Sequence, residues 1–111
     1  MSNELLRELA LEVEEFNQNY ILETQTFFFL RPSPDCIYLD FNRKGRLYLF
    51  SRIVKGKGDK CKIEKFDYDQ NLFRDLVDLG DEPEQSNSYV SSPIKLLTSM
   101  MKSSLNELIA L

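Results

Sequence analysis

Apolar residues recur along the opening of the chain at helical spacing. Leu5, Leu9, Val13 and Phe16 stand four, four and three residues apart, and Leu6 and Ala10 widen the stripe. Residues 4–17 are therefore expected to form an amphipathic helix with one face buried. Ser2 or Asn3 can cap its first turn, and Glu4 complements the helix dipole. Glu8, Glu12 and Glu15 form an acidic ridge on the far side, whereas Leu11 falls off the stripe and has no evident partner.

The period then changes. Residues 20–30 are rich in Tyr, Ile, Thr and Phe and read as a strand. The segment 31–35, with Pro32 and Pro34, breaks it, because proline cannot continue a ladder. Residues 36–41 alternate, with Ile37, Leu39 and Phe41 on one face and Cys36, Tyr38 and Asp40 on the other. Asn42-Arg43-Lys44-Gly45 is a hairpin turn in which Gly45 suits positive φ. In the next strand, 46–54, the same alternation puts Leu47, Leu49 and Ile53 on one face and Tyr48 and Phe50 on the other. A Gly/Lys turn at 55–59 leads to a fourth strand, 60–67, whose charge suits a sheet edge. Beyond it Asp69 reads as a helix cap, Leu72, Phe73, Leu76 and Val77 as a short apolar face, and Gly80 as the stop. Residues 81–92 hold only Tyr89 and Val90 as apolar side chains and are expected to form a mobile loop. Ser92-Pro93 opens a last helix over 93–110, with Ile94, Leu97, Met101, Leu105 and Leu108 along one side.

The expected architecture is a single α+β domain spanning 1–111: an N-terminal helix on a four-stranded antiparallel meander, then a short and a long C-terminal helix. Over residues 4–67 this layout is similar to cystatin-like and NTF2-like architectures, by element order alone. The resemblance implies a helix laid across an antiparallel sheet and nothing about inhibition or catalysis. Small acidic α+β proteins also include secretion chaperones, which hold partner chains as dimers, although their helices and strands interleave differently. The sheet poses a physical problem, since both of its faces carry apolar side chains. The Ile37/Leu39/Phe41 face can take the first helix. The face assigned to Tyr38, Tyr48 and Phe50 must meet the C-terminal helices, a second subunit or a ligand, or stand as an amphipathic surface in water.

Composition narrows the function classes. The 111 residues contain no His, which removes the commonest general base and most transition-metal sites. Eighteen acids against fourteen bases give a net charge of −4, an argument against a general nucleic-acid binder. The acidic N-terminal segment has no signal-peptide character, and no apolar run, 27–30 included, exceeds four residues, far too short to span a membrane. With no secretory signal, the two cysteines, Cys36 and Cys61, read as thiols of a cytoplasmic protein.

Several segments could carry chemistry. Between Arg43 and Lys65 nine bases meet only Asp59 and Glu64, so the rest of the chain is strongly acidic. A basic hairpin could contact phosphates or an acidic protein. The two turns lie at opposite ends of one strand, however, and lysines also keep turns solvated and edges unpaired. Lys55 and Lys57 alternate with Gly56 and Gly58, and Lys60 follows Asp59, in a possible anion nest, yet no P-loop pattern and no following helix accompany them. Residues 67–78 partly match a calcium loop, but Leu72 stands where glycine is required and Asp78 where a longer carboxylate belongs. Asp35, Asp40, Asp67 and Asp69 flank strand ends beside tyrosines, without any motif that brings two carboxylates into one pocket. Met100 and Met101 on the last helix suit either plain core or an adaptable partner face. The reading that follows is a non-catalytic protein-binding or assembly module with no cofactor. Its partner would be another protein or a second copy, a homodimer included, held through Tyr38, Tyr48, Phe50, Lys55, Lys57, Lys60, Met100 and Met101. A phosphate or nucleic-acid binder using residues 43–65, and a small acid–base enzyme, are the competing readings.

Overall fold

The computed structural model describes residues 3–56, 58, 60–75, 89–90 and 93–109, with the side chains of 20–24, 89–90 and 105–109 outside that description. Its elements are α1 (Asn3–Thr24), β1 (Thr26–Pro32), β2 (Cys36–Arg43), β3 (Arg46–Lys55), β4 (Cys61–Asp67), β5 (Leu72–Asp75), β6 (Tyr89–Val90) and α2 (Ile94–Ile109). Strands β1 to β5 form an antiparallel meander in chain order, and β6 adds to β4. The α+β class and the meander are as expected, but the sheet has more than four strands.

The first correction concerns residues 20–24, expected as the start of a strand. They continue α1, and β1 begins only at Thr26. Residues such as Tyr, Ile and Thr lie no more than about 0.7 kcal/mol below alanine in helix propensity, while extending an existing helix gains a backbone hydrogen bond per residue. The helix stops where Gln25 takes the left-handed conformation at φ 52°. Asn17, one turn or more before that stop, reaches sideways to β1. Its Nδ2 donates to the Phe28 carbonyl and its Oδ1 accepts from the Phe28 amide, both at 2.7 Å. The side-chain amide thus takes the place of a neighbouring strand on the β1 edge.

The β2–β3 hairpin turns on Lys44 and Gly45, with φ of 51° and 82°, as a type I′ turn requires. Asn42 Oδ1 accepts from the Gly45 amide at 3.1 Å. A few residues away the register shifts: Leu39 faces Ser51 but Asp40 faces Leu49, leaving Phe50 without a counterpart. This bulge reverses the alternation of β3. Phe50 enters the core at 2% exposure, with its ring 5.0 Å from Phe28. Tyr48 stacks on Phe41 at 5.0 Å, on the core side. Leu47, expected beside Ile53, is 70% exposed on the opposite face.

Residues 69–75 are not helical. Asp67 Oδ1 accepts from the amides of Asp69 at 2.9 Å and Gln70 at 3.1 Å, and the Asn71 amide donates to the Asp67 carbonyl at 2.7 Å. With Asn71 at φ 58° the chain reverses into β5, which sets Phe73 opposite Phe66. Asp67 is therefore the turn former, not Asp69 the helix cap. The remainder of the expected short helix, 76–80, lies outside the described residues. β4 is consequently an interior strand, its far edge shared by β5 and β6. Within the expected loop 81–92, Tyr89 and Val90 pair with Lys62 and Cys61; the other positions lie outside the description.

Both helices serve one core. Leu9, Val13 and Phe16 of α1 and Leu97, Met100 and Met101 of α2 cluster with Phe28, Ile37, Leu39, Phe41, Phe50, Ile53 and Ile63. Leu97 donates its amide to the Pro93 carbonyl at 2.8 Å, closing the first turn of α2 as expected from Pro93 at the helix entry. Leu105 and Leu108 have side chains outside the description. Among the described residues no helix is long and apolar enough to cross a membrane.

Candidate binding face

With α1 and α2 on the Ile37/Leu39/Phe41 side, the other side of the sheet is defined by its cross-strand register. Arg31 faces Tyr38, Tyr38 faces Arg52, Arg52 faces Glu64, and Glu64 faces Asp75. Directly opposed residues share a face, so these five form one row across β1 to β5. The charges along it are paired locally. Arg31 Nε lies 2.8 Å from Asp40 Oδ2, and Arg52 Nε 2.6 Å from Glu64 Oε1. Lys62 Nζ lies 3.2 Å from Asp75 Oδ2 and 3.7 Å from Glu64 Oε2. Guanidinium planes also cover rings, Arg31 at 4.1 Å from the Tyr38 centroid and Arg52 at 4.4 Å from that of Phe73. Tyr38, Phe73, Phe66 and Tyr68 continue as a chain of rings with centroids 5.9, 5.1 and 4.9 Å apart, tilted at the first contact and edge-to-face at the other two. The Tyr68 hydroxyl donates to the Leu49 carbonyl.

The electrostatics follow from this pairing. The hydrogen bond to Asp40 holds Arg31 above the ordinary guanidinium pKa, although its partial burial works the other way. Burial also lowers the pKa of Arg52, but the hydrogen bond and charge of Glu64, with help from Tyr38, outweigh it and leave the net shift upward. Asp40 Oδ1 and Asp75 Oδ1, both on this side of the sheet, are buried with no donor among the described residues. Towards the β2–β3 turn the same face becomes apolar. Phe27 faces Asn42 and Asn42 faces Leu47, with Phe27 38% and Leu47 70% exposed.

Of the side chains singled out from sequence, only Tyr38 stands in this row. Tyr48 and Phe50 belong to the core side because of the bulge. Met100 and Met101 are 5% and 0% exposed in the core. Lys55 and Lys60 are exposed at the end of β3 far from Lys44 and Arg46, and Lys57 lies outside the described residues. Arg43 is buried, its guanidinium donating to Thr26 Oγ1 at 3.2 Å. Of the candidate carboxylates, Asp40 is held by Arg31, while Asp67 shares its turn with Asp69 and is held by that turn and by Arg74 at 3.4 Å. Among the described residues no group of three or more His, Cys, Asp or Glu is placed to hold a metal ion. Sequence reasoning missed Arg31, Arg52, Phe66 and Phe73; the signal was the pairing register, which becomes readable only once the bulge and the β4–β5 turn are known. Comparison with protein-family models, with curated proteins and with solved structures finds no match to this chain.

Proposed function

We propose that this chain is a non-catalytic protein-binding or assembly module that docks its partner on the sheet face opposite the helices. The supporting observation is the row Arg31–Tyr38–Arg52–Glu64–Asp75 together with exposed Phe27 and Leu47 on the same side. Arginine and aromatic residues are the types that dominate the centres of protein interfaces. Their ion pairs are already formed, so a partner need not supply a large compensating charge. Buried, unbridged Cys36 and Cys61 suit a reducing cytoplasm. The phosphate-binding alternative requires its bases to converge, and Lys44 and Arg46 lie at the opposite end of β3 from Lys55 and Lys60. The acid–base alternative drew on Asp40 and Asp67, each engaged with a separate arginine; the carboxylates that do face each other, Glu64 and Asp75, are both held by Lys62 on the open sheet face.

The test compares two affinity matrices, one bearing the wild-type chain and the other the Phe27→Ser/Leu47→Ser variant, exposed to the same cell extract. Retention of a protein, a copy of the chain included, on the first matrix alone is expected. Equal retention on both, or none on either, contradicts the proposal.

A further inference from the structure

We infer that the partner is a second copy of this chain, bound head to tail, with Leu11 of one molecule seated at the Leu47 end of the sheet of the next. This rests on reading the chain as a binding or assembly module and names its occupant.

Leu11 and Leu47 are the most exposed large apolar side chains among the described residues, at 62% and 70%. The core uses neither. Leu11 stands off the buried Leu9–Val13–Phe16 stripe, and Leu47 was turned outward by the bulge at Phe50. Their surroundings carry opposite charge. One helical turn to either side of Leu11 are Arg7, Glu8, Glu14 and Glu15, all exposed, so the ridge is net acidic. Beside Leu47, the hairpin presents exposed Lys44 and Arg46, and Asp69 is the exposed acid of the adjoining turn, which leaves this end net basic.

Geometry and charge together select the mode of contact. α1 covers one face of the sheet and Leu47 projects from the other, so the two patches point away from each other and cannot meet within one molecule. A symmetric Leu11–Leu11 contact would bring two net acidic surfaces together, setting Glu8 against Glu14 twice even where Arg7 meets Glu15, and a Leu47–Leu47 contact would gather Lys44 and Arg46 of both copies. Like charges at an interface are strongly disfavoured. Only the unlike pairing buries both leucines with attraction between the rims. Such a heterologous contact leaves one unused patch of each kind, so assembly continues as an open chain or closes as a ring.

The experiment is light scattering of the whole chain at about 100 μM, above the micromolar range of weak assemblies, in salt of about 0.01 M and about 1 M, where screening lengths are roughly 30 and 3 Å. The wild type is expected to exceed monomer mass at low salt and to fall toward it at high salt. Leu11→Asp and Leu47→Asp are each expected to be monomeric, and both positions are exposed, so circular dichroism should report unchanged folding. Mixed one to one, the two variants should recover a species of twice the monomer mass, because one keeps the basic end and the other the acidic ridge. A monomeric wild type, assembly that survives either substitution, or no recovery on mixing overturns the inference. A monomeric wild type whose matrix still retains another protein through Phe27 and Leu47 would overturn self-assembly alone and leave the binding-module reading standing.

Discussion

Asn17 shows how one side chain decides what a strand edge can do. By giving and accepting a hydrogen bond at Phe28 it satisfies backbone groups that would otherwise recruit another strand, and Pro32, at the end of the same edge, has no amide to offer. Asn17→Ala should destabilise the chain by about 1–3 kcal/mol in a urea titration, since both Phe28 groups lose their partner; an unchanged midpoint would show that they are satisfied otherwise. At Arg52, substitution by Leu leaves Glu64, whose side chain is only 13% exposed, with Lys62 at 3.7 Å in place of its 2.6 Å partner. A loss of about 1–3 kcal/mol is expected there, and Arg31→Leu should cost a similar amount although the arginine is itself 49% exposed, because it strands Asp40, whose side chain is 10% exposed and whose Oδ1 has no donor among the described residues. The sign of the pH dependence follows from the raised pKa values of both arginines. Their contribution is complete below the ordinary guanidinium pKa and is lost only as pH climbs through the higher folded value. Alkaline titration short of that point should therefore leave the Arg52→Leu difference intact on the arginine side.

At the scale of elements, alternation and turn chemistry were legible where a segment obeyed one rule and misread where two rules met. β2 follows strict alternation up to the bulge, and Ile37, Leu39 and Phe41 are buried as their spacing predicts. β3 carries the same kind of pattern, but one unpaired residue inverts it after Leu49, and no single-strand pattern reveals a bulge whose cause lies in the pairing. The consequence is measurable. Phe50→Ala should cost about 3–5 kcal/mol and Leu47→Ala less than about 0.5 kcal/mol, the reverse of the ranking that uninterrupted alternation implies. The β4–β5 turn was misread for a related reason: aspartates that cap helices also close turns, and Asp67 two residues before Asp69 does the latter. At the β2–β3 turn, Lys44 holds a left-handed conformation that favours Asn or Gly. Lys44→Asn should raise stability by roughly 0.5–1 kcal/mol, read as a shift of the denaturation midpoint.

For the whole molecule, the open question from sequence was how a sheet with two apolar-bearing faces disposes of both. Placing α1 and α2 together against one face resolves half of it, and drawing Tyr48 and Phe50 to that side leaves Tyr38 in the company of Arg31, Arg52, Phe66 and Phe73 on the other. The N-terminal helix, the hairpin and the last helix could be read from spacing because each is a local pattern. The candidate face could not, because it is assembled by registry across five strands. Leu11, unexplained by its own helix, acquires a use only when the distribution of charge over the whole surface is considered. The most direct measurement is site-specific photo-crosslinking in cells, with the reactive residue placed at Leu47 on the proposed docking face or at exposed Lys95 on α2. Protein adducts at position 47 and none at 95 are the expected result; adducts at 95 alone, or equal yields at both, would contradict a docking surface on the sheet.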